Sequence, residues 1–463
     1  MPDLVQSTTE PRSLPLTQAL GRFVSELTFE RLPEAALRTA RTGFIDCIGT
    51  MIAGSQEPAV QILKKTLATG GPGEAALYFS SERGPAPEAA WINGTAAHAL
   101  DYDDVALRGH PSTVLVPAIL AEGEALDASG RDMLRAYAAG YEVWGELAER
   151  DRGQHHLKGW HPTGIFGAIG AAAACASLRR LDAERATLAI ALAASQSSGV
   201  MANFGTMTKP FHAGRAAHAG VISARLAEAG FTASADALEH PQGFLNAVSP
   251  EGKVDREGAP RALGQDWRLA SVGLSIKKFP ACYCTHRTID AVLDLVSRRP
   301  IDPSRIDRIV VSLSDTYATI LRNHAPQTGL AAKFSIEFAM AAALTARRVG
   351  LGELTDTFVR RADIQQLMRR VVVETNRNYD PETPGASVYD QVRVHLDDGT
   401  VLETEQVRHA LGHATRPLAE AELFEKFRAC LDAGGVKLEA RGFFERLLKL
   451  DEVGSARELV GAR

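Results

Sequence analysis

The segment HALDYDDVALRGHPS, residues 98–112, carries Asp101, Asp103, Asp104 and His110 within ten positions of one another. Carboxylates and imidazoles grouped this densely can hold a divalent metal ion or can transfer protons. An apolar, helix-forming run follows the segment directly. The residue types therefore indicate a functional site at the start of a helix, and other segments have to decide between the two kinds of chemistry.

His110 and His161 each precede a proline and a hydroxyl residue, in HPS and HPT. Because proline is favoured at the first position of a helix, each histidine is predicted at or just before a helix N-terminus. The positive end of the helix dipole disfavours a charged imidazolium there. A neutral imidazole suits a general base, although a purely structural role at the two helix ends would explain the pattern as well.

Two further segments supply cations. TMTKPFHAG places Lys209 before a proline, which predicts extended backbone at that lysine. KKFPACYCTHR places Lys277 close to Tyr283 and His286, a combination that predicts an anion-binding edge. We therefore expect a small organic anion as substrate. An aspartate with a neutral histidine can remove a proton next to a carboxylate, while lysines stabilise the developing negative charge.

A metal-dependent helical enzyme is the alternative class, because Asp101 and Asp104 have the spacing of one helical turn that aspartate-rich magnesium sites use. A second acidic cluster beside a basic pocket, which such sites need, is missing from the sequence. Cys282 and Cys284 form a CxC pair, but buried thiols explain it as well as a metal site does. We expect no metal and no organic cofactor, and keep a non-catalytic helical scaffold as a third class.

Length and composition describe an ordinary globular protein of 463 residues, with 45% hydrophobic residues and a net charge of −5. This charge gives no indication of nucleic-acid binding. The N-terminus lacks the pattern of a secretory leader, and the apolar run 164–178 is shorter than a membrane span. A cytoplasmic protein that does not contact membranes is the simplest expectation.

The elements that must position these residues are mostly helices. Apolar residues recur at helical spacing from Leu16 to Gly230 and again from Leu418 to Val460. The middle contains a β-branched run, RIVVSL, and two alternating runs around Asp398-Gly399 that predict a hairpin. The fold class predicted is mainly α: a large all-helical domain of residues 1–270 plus 410–463, and a smaller inserted α+β lid domain of residues 271–409.

The order and spacing of HALDYDD, GWHPTGIFGAIGAAAA, TMTKPFHAG, KKFPACYCTHRTID and AAKFSIEFA resemble the MmgE/PrpD family. The resemblance covers about residues 16–450. It implies a large helical domain with a lid, a homodimer, and catalysis of carboxylic-acid chemistry without metal or cofactor. The pocket positions that it implies, with Lys333 added at the domain interface, are Asp101, His110, His161, Met201, Lys209 and Lys277.

The family includes 2-methylcitrate dehydratase, cis-aconitate decarboxylase and iminodisuccinate epimerase. The decarboxylase branch often has polar residues where Val105, Cys282 and Phe338 stand, and Glu146 replaces a common arginine. We therefore rank dehydration of a small di- or tricarboxylate first, epimerisation of an amino-dicarboxylate second and decarboxylation third. The roles predicted are proton transfer for Asp101 and His161 with help from His110, and substrate binding for Met201, Lys209, Lys277, Tyr283 and His286.

Overall fold

The structure is a computed structural model that describes residues 14–67, 73–77, 81–383 and 385–460. Residues 1–13, where the sequence lacks a leader pattern, lie outside the described residues. Within those described ranges, no helix has the length and apolar character needed to cross a bilayer.

Helices form the N-terminal part of the large domain, as the spacing of apolar residues predicts. They are α1 Leu16–Glu26, α2 Glu34–Gly54, α3 Pro58–Leu67, α4 Ala86–Ala99, α5 Ser112–Leu126, α6 Gly130–Asp151, α7 Pro162–Leu178, α8 Ala183–Ala194, α9 Thr208–Glu228, α10 Phe244–Val248 and α11 Arg268–Ser271. Two short antiparallel strands, β1 Ala75–Ala76 and β2 Arg83–Gly84, precede α4. Helix α7 is buried along its whole length and packs against α6, α8 and α9.

Glycines bring α4 and α9 unusually close together. A Cβ atom on Gly214 would lie 2.1 Å from the carbonyl oxygen of Trp91, and one on Gly94 would lie 2.8 Å from the Cα of Gly214. Neither helix could approach the other this closely with a larger residue at the crossing. The close contact matters for function because α4 ends next to Asp101 and α9 begins with the Lys209 segment.

The lid combines helices with a four-stranded sheet. Its elements are α12 His286–Arg298, β3 Ile306–Ser314, α13 Asp315–Ile320, α14 Gly329–Ala332, α15 Ile336–Ala346, α16 Asp356–Val359, α17 Ala362–Met368, β4 Val371–Asn376, β5 Gln391–Leu396 and β6 Val401–Glu403. The strand order is β4-β3-β5-β6, with β3 parallel to β4 and the other pairs antiparallel. The predicted hairpin is present between β5 and β6, with Gly399 at a φ of 83° in its turn. Strand β4 was not predicted from the sequence.

The C-terminal helices return to the large domain. They are α18 Glu420–Gly434, α19 Ala440–Leu448 and α20 Ala456–Val460. Apolar residues of α18 and α19 join the core of the large domain, whereas residues between Phe279 and Leu402 form a separate core in the lid. The predicted fold class is therefore confirmed, while the domain boundaries at residues 270 and 410 stay a prediction.

Helix α18 also contributes a buried cation to the large domain. The Nζ atom of Lys426 lies 2.5 Å from a carboxylate oxygen of Asp46 on α2, and both side chains are buried. The same ammonium group donates to the carbonyl oxygen of Tyr102 at 2.7 Å. Lys426 therefore fixes the polypeptide directly after Asp101 to two distant helices.

Replacing Lys426 with methionine should lower the free energy of unfolding by about 3 to 5 kcal/mol, because the substitution leaves Asp46 buried without its cation. Urea unfolding followed by circular dichroism measures this change. The double variant Asp46→Asn/Lys426→Met should recover part of the loss. The matched control is Arg428→Met, which removes an exposed ion pair on the same helix. Equal destabilisation by Lys426→Met and Arg428→Met would contradict the role of the buried pair.

Candidate active site

Asp101 follows α4 and lies at the centre of the site. Its backbone has a φ of 51°, in the left-handed region, and its side chain is buried. Oxygen Oδ1 accepts from Nζ of Lys209 at 2.6 Å and from Nζ of Lys277 at 2.9 Å. Lys277 also donates to the backbone carbonyl of Asp101 at 2.8 Å. The structure therefore brings together three of the residues singled out in the sequence.

Two effects act on the pKa of Asp101. Burial raises it, but the ammonium groups of Lys209 and Lys277 outweigh burial and hold the pKa well below its usual range. A carboxylate that stays ionised so firmly is a weak base. The geometry therefore argues against the predicted proton-transfer role of Asp101 and favours a role in fixing the two lysines.

A third buried ammonium group reaches the same loop from the lid. Lys333 donates to the carbonyl of Leu100 at 2.5 Å and to the carbonyl of Pro280 at 3.1 Å. Burial lowers the pKa of Lys333 to about 8. Lys333 thus connects the lid with the residue that precedes Asp101, at the interface that the sequence predicted for it.

Asp103 joins two imidazoles on the other side of Asp101. Its carboxylate oxygens lie 2.9 Å from Nδ1 of His98 and 2.7 Å from Nδ1 of His110. The two imidazole rings are 4.5 Å apart between centroids. Burial raises the pKa of Asp103, but the two histidines outweigh it and keep the pKa well below its usual range. Sequence reasoning missed His98, although it stands in the first segment, because it reads as part of the α4 helix.

His161 is the N-cap of α7, with a proline at the first helical position, as predicted. Its Nδ1 lies 3.1 Å from Nδ1 of His212 on α9, a second histidine that sequence reasoning missed. Burial, together with neighbouring His98 and Lys209, lowers the pKa of His161 well below its usual value. The predicted neutrality of this imidazole agrees with the structure, but burial contributes more to it than position at the helix end.

At two helix starts the structure differs from the prediction. Pro111 is the N-cap residue of α5, and not its first helical residue, so His110 lies one position further from the helix. Lys209 lies inside α9, which begins at Thr208, instead of in extended backbone. Pro210 can follow it because the first four N–H groups of a helix have no partner within the helix, so the missing N–H breaks no bond.

Asp104 serves the structure of the site. Its carboxylate accepts from the N–H and the hydroxyl group of Ser112 at the start of α5. Burial raises the pKa of Asp104 well above its usual value. Hydrogen bonding to the start of α5 therefore accounts for Asp104.

The other predicted substrate-binding residues are Met201 and Tyr283, which lie in two short 3-10 helices, and His286, which begins α12. Met201 begins the one at Met201–Asn203, and its N–H donates to the carbonyl of Gly159 at 2.8 Å. Tyr283 begins another, with its ring 5.0 Å from that of His286. Burial lowers the pKa of His286 to about 3. Contact of these three residues with substrate stays a prediction.

The positions that depart from the family pattern have different surroundings. Glu146 forms buried ion pairs with Arg150 at 2.8 Å and Arg268 at 2.6 Å, so it connects α6 with α11. Phe338 is buried in the lid core and packs edge-on to Phe358. The charge of Glu146 is therefore compensated by these two arginines.

Val105 and Cys282 lie in segments that hold the lysines. Val105 exchanges two backbone hydrogen bonds with Ser275, two residues before Lys277. The N–H of Cys282 donates to the carbonyl of Lys333 at 2.9 Å. Changes at these two positions can therefore alter how the ammonium groups are placed.

The cluster also has the composition of a metal site, since ligand atoms of His98, Asp101, Asp103 and His110 lie within 4.8 Å of one another. Several of the ligand atoms already have partners: Asp101 Oδ1 is paired with two ammonium groups, and Asp103 Oδ1 with Nδ1 of His98. Nε2 of His98 and Oδ2 of Asp101 have no hydrogen-bond partner among the described residues, but Lys209 and Lys277 lie at the same carboxylate and would repel a metal ion. A metal ion would have to replace these pairs next to two lysines. The donor set therefore fits proton transfer better than metal binding.

A cavity of about 540 Å³ lies beside the cluster, between the large domain and the lid. Lys333 reaches its wall from the lid, Leu100 from the position before Asp101, and Pro210 from the first turn of α9. The remaining wall is mainly apolar. The cavity therefore reaches the buried Lys333 directly.

The comparisons with known proteins agree with this geometry. Residues 18–257 match the MmgE/PrpD N-terminal domain and residues 279–448 match the MmgE/PrpD C-terminal domain. The chain belongs to the MmgE/PrpD family, as the resemblance of its sequence indicated.

Its relatives include three named cis-aconitate decarboxylase. The protein of Mus musculus is 27% identical over 439 residues, which cover 89% of this chain and 86% of the relative. That of Homo sapiens is 27% identical over 433 residues, which cover 89% of this chain and 87% of the relative. That of Aspergillus terreus is 25% identical over 452 residues, with 92% and 91% covered.

Substitution of Lys277 by methionine should weaken the binding of tricarballylate, an unreactive tricarboxylate, by about 30-fold or more, because a buried charge at the site is lost. Isothermal titration calorimetry measures this affinity. The neighbouring Lys278 is partly exposed, with its Nζ 3.9 Å from Glu422, so Lys278→Met is the matched control and should bind almost normally. Similar affinities in the two variants would exclude Lys277 from the site.

The affinity for tricarballylate should also fall as the pH rises through about 8, because Lys333 loses its proton there. The sign follows from the lowered pKa: the ammonium group is charged below pH 8 and neutral above it. Lys333→Arg, which stays charged, should shift this loss to higher pH. A loss that persists unchanged in Lys333→Arg would come from another group, such as the nearby thiol of Cys282, and would contradict the assignment.

Proposed function

We propose that the chain is a lyase that transfers a proton at a carbon next to a carboxylate of a small di- or tricarboxylate. One observation carries this proposal. The ammonium groups of Lys209, Lys277 and Lys333 converge on residues 100 and 101, beside the neutral imidazoles of His98 and His161.

The cations and the imidazoles have complementary tasks. Several buried ammonium groups favour a substrate that carries several negative charges, because such a substrate compensates them more fully than Asp101 alone. When a C–H or C–C bond next to a carboxylate breaks, negative charge develops on that carboxylate. Fixed ammonium groups stabilise this charge, and a neutral imidazole can accept or return the proton.

Decarboxylation of an unsaturated tricarboxylate is the first candidate reaction, and the names of the relatives support it. In this reaction the C–C bond to one carboxylate breaks, carbon dioxide leaves, and the electron pair moves through the double bond to its far carbon. That carbon gains one proton from water, and a neutral imidazole of the site can relay this proton. The sequence had ranked decarboxylation third, so the comparisons raise its rank.

Dehydration of a citrate-like hydroxy acid is the second candidate. The nonpolar Val105 and Phe338, and the thiol of Cys282, stand where the decarboxylase branch often has polar groups, and this favours a different outcome after proton transfer. Here an imidazole would take the proton next to a carboxylate, and a second acid would protonate the departing hydroxide. Both reactions use the same lysines and the same kind of base.

The test is to incubate chelator-treated protein in deuterium oxide with cis-aconitate, 2-methylcitrate and an amino-dicarboxylate, and to follow products by NMR. Carbon dioxide release with one deuterium in the product would support decarboxylation. A new unsaturated acid from 2-methylcitrate would support dehydration. Deuterium uptake without a new product would indicate epimerisation, the remaining alternative. Activity that is abolished by the chelator and restored by magnesium would contradict the metal-free proposal.

We also propose that the chain forms a homodimer, which the resemblance to the family implies. Light scattering of the purified protein measures its mass in solution. A mass of one chain at micromolar concentration would contradict this proposal.

A further inference from the structure

One ring nitrogen of His98 has a hydrogen-bond partner and the other has none among the described residues. Nδ1 lies 2.9 Å from Asp103, whereas Nε2 is buried and has no hydrogen-bond partner among the described residues. The residue is 1% exposed. A buried polar atom without a partner costs free energy, so such an atom in a site needs an explanation. A bound ligand that contacts Nε2 would supply one.

The partner of Nδ1 fixes the tautomer of His98. Asp103 is ionised and can only accept, so Nδ1 carries the hydrogen and Nε2 carries the lone pair. Burial lowers the pKa of His98 to about 4, so the free imidazole is neutral at pH 7. A lone pair without a hydrogen bond, on a neutral and oriented imidazole, is the arrangement that a general base requires.

Asp101 has a second unpartnered atom in the same place. Its Oδ1 takes both lysines, while its Oδ2 is buried without a hydrogen-bond partner among the described residues. Ligand atoms of His98 and Asp101 lie within 4.8 Å of each other. A substrate carboxylate held by Lys209 and Lys277 would therefore lie close to His98.

We propose that His98 is a further catalytic residue of this site. Asp103 is the positioning residue that orients the imidazole of His98. The inference rests on the proposed function. In dehydration or epimerisation, Nε2 of His98 takes a proton from the substrate carbon as the C–H bond breaks; in decarboxylation, Nε2 relays the one proton that the carbon gains after carbon dioxide leaves. The electron pair stays on carbon and spreads into the carboxylate held by the lysines. Asp103 balances the charge of the imidazolium until the proton returns to carbon or goes to the leaving group.

The first experiment compares His98→Gln with wild type on the substrate that wild type converts. We expect kcat to fall by about 100- to 10,000-fold, the usual contribution of general acid–base catalysis, with KM changed less than threefold. The matched control is His218→Gln, which changes a half-buried histidine that also has a lowered pKa, on α9 beside Trp91. A kcat of His98→Gln within threefold of wild type would overturn the proposal.

The second experiment tests whether Asp103 affects kcat separately from ligand affinity and stability. In Asp103→Asn the side-chain amide can donate to Nδ1, which favours the opposite tautomer of His98. We expect kcat to fall, while the affinity for tricarballylate and the melting temperature stay nearly unchanged. Asp103→Glu should restore part of the rate. A lower melting temperature of Asp103→Asn with a normal kcat would show that Asp103 has only a structural role.

The third experiment does not depend on turnover. Protein labelled with ¹⁵N-histidine is titrated with tricarballylate, and the Nε2 resonance of His98 is assigned by its absence from His98→Gln. Binding should shift this resonance by several parts per million or more. If tricarballylate binds without shifting the resonance, the role of His98 is wrong and the proposed function is unaffected. If wild type neither binds tricarballylate nor converts any acid of the panel, the proposed function fails and this inference fails with it.

Discussion

The ion pairs of Asp101 with two buried lysines are the interactions on which the rest of the site depends. Asp101 lies 108 residues from Lys209 and 176 residues from Lys277 in the chain. One carboxylate oxygen therefore holds three distant segments together, and its left-handed backbone conformation is stabilised by those contacts. Each lysine is already placed and largely desolvated before a ligand arrives, so little reorganisation remains when an anion binds.

Asp103 complements this arrangement with a different task. Asp101 compensates cations, whereas Asp103 holds Nδ1 of His98 through one oxygen and lies close to His110 through the other. The Nδ1 atom of His110 also lies 2.8 Å from the carbonyl oxygen of Asp104. Two neighbouring aspartates in one short loop thus have different partners: lysines for Asp101 and histidines for Asp103. Their pKa values are low for different reasons: ammonium groups act on Asp101, and imidazoles act on Asp103.

Sequence reasoning predicted the helical architecture and the position of His161, because proline and apolar spacing act locally. It failed where contacts between distant residues decide. Lys209 is helical because the first turn of α9 tolerates the following proline. His98 appeared to be an ordinary helical residue until folding placed Asp103 beside it. Glu146 appeared to be a missing pocket cation, but Arg268, more than a hundred residues away, explains its charge.

The hydrogen bond from Lys426 to the carbonyl of Tyr102 spans 324 residues of the chain. The loop that carries Asp101 therefore cannot take its final form during synthesis until helix α18 has emerged from the ribosome. A nascent chain that already contains the histidines of the site and both Asp101-binding lysines still lacks this support. Removal of α18 would therefore leave a loop hundreds of residues away without it.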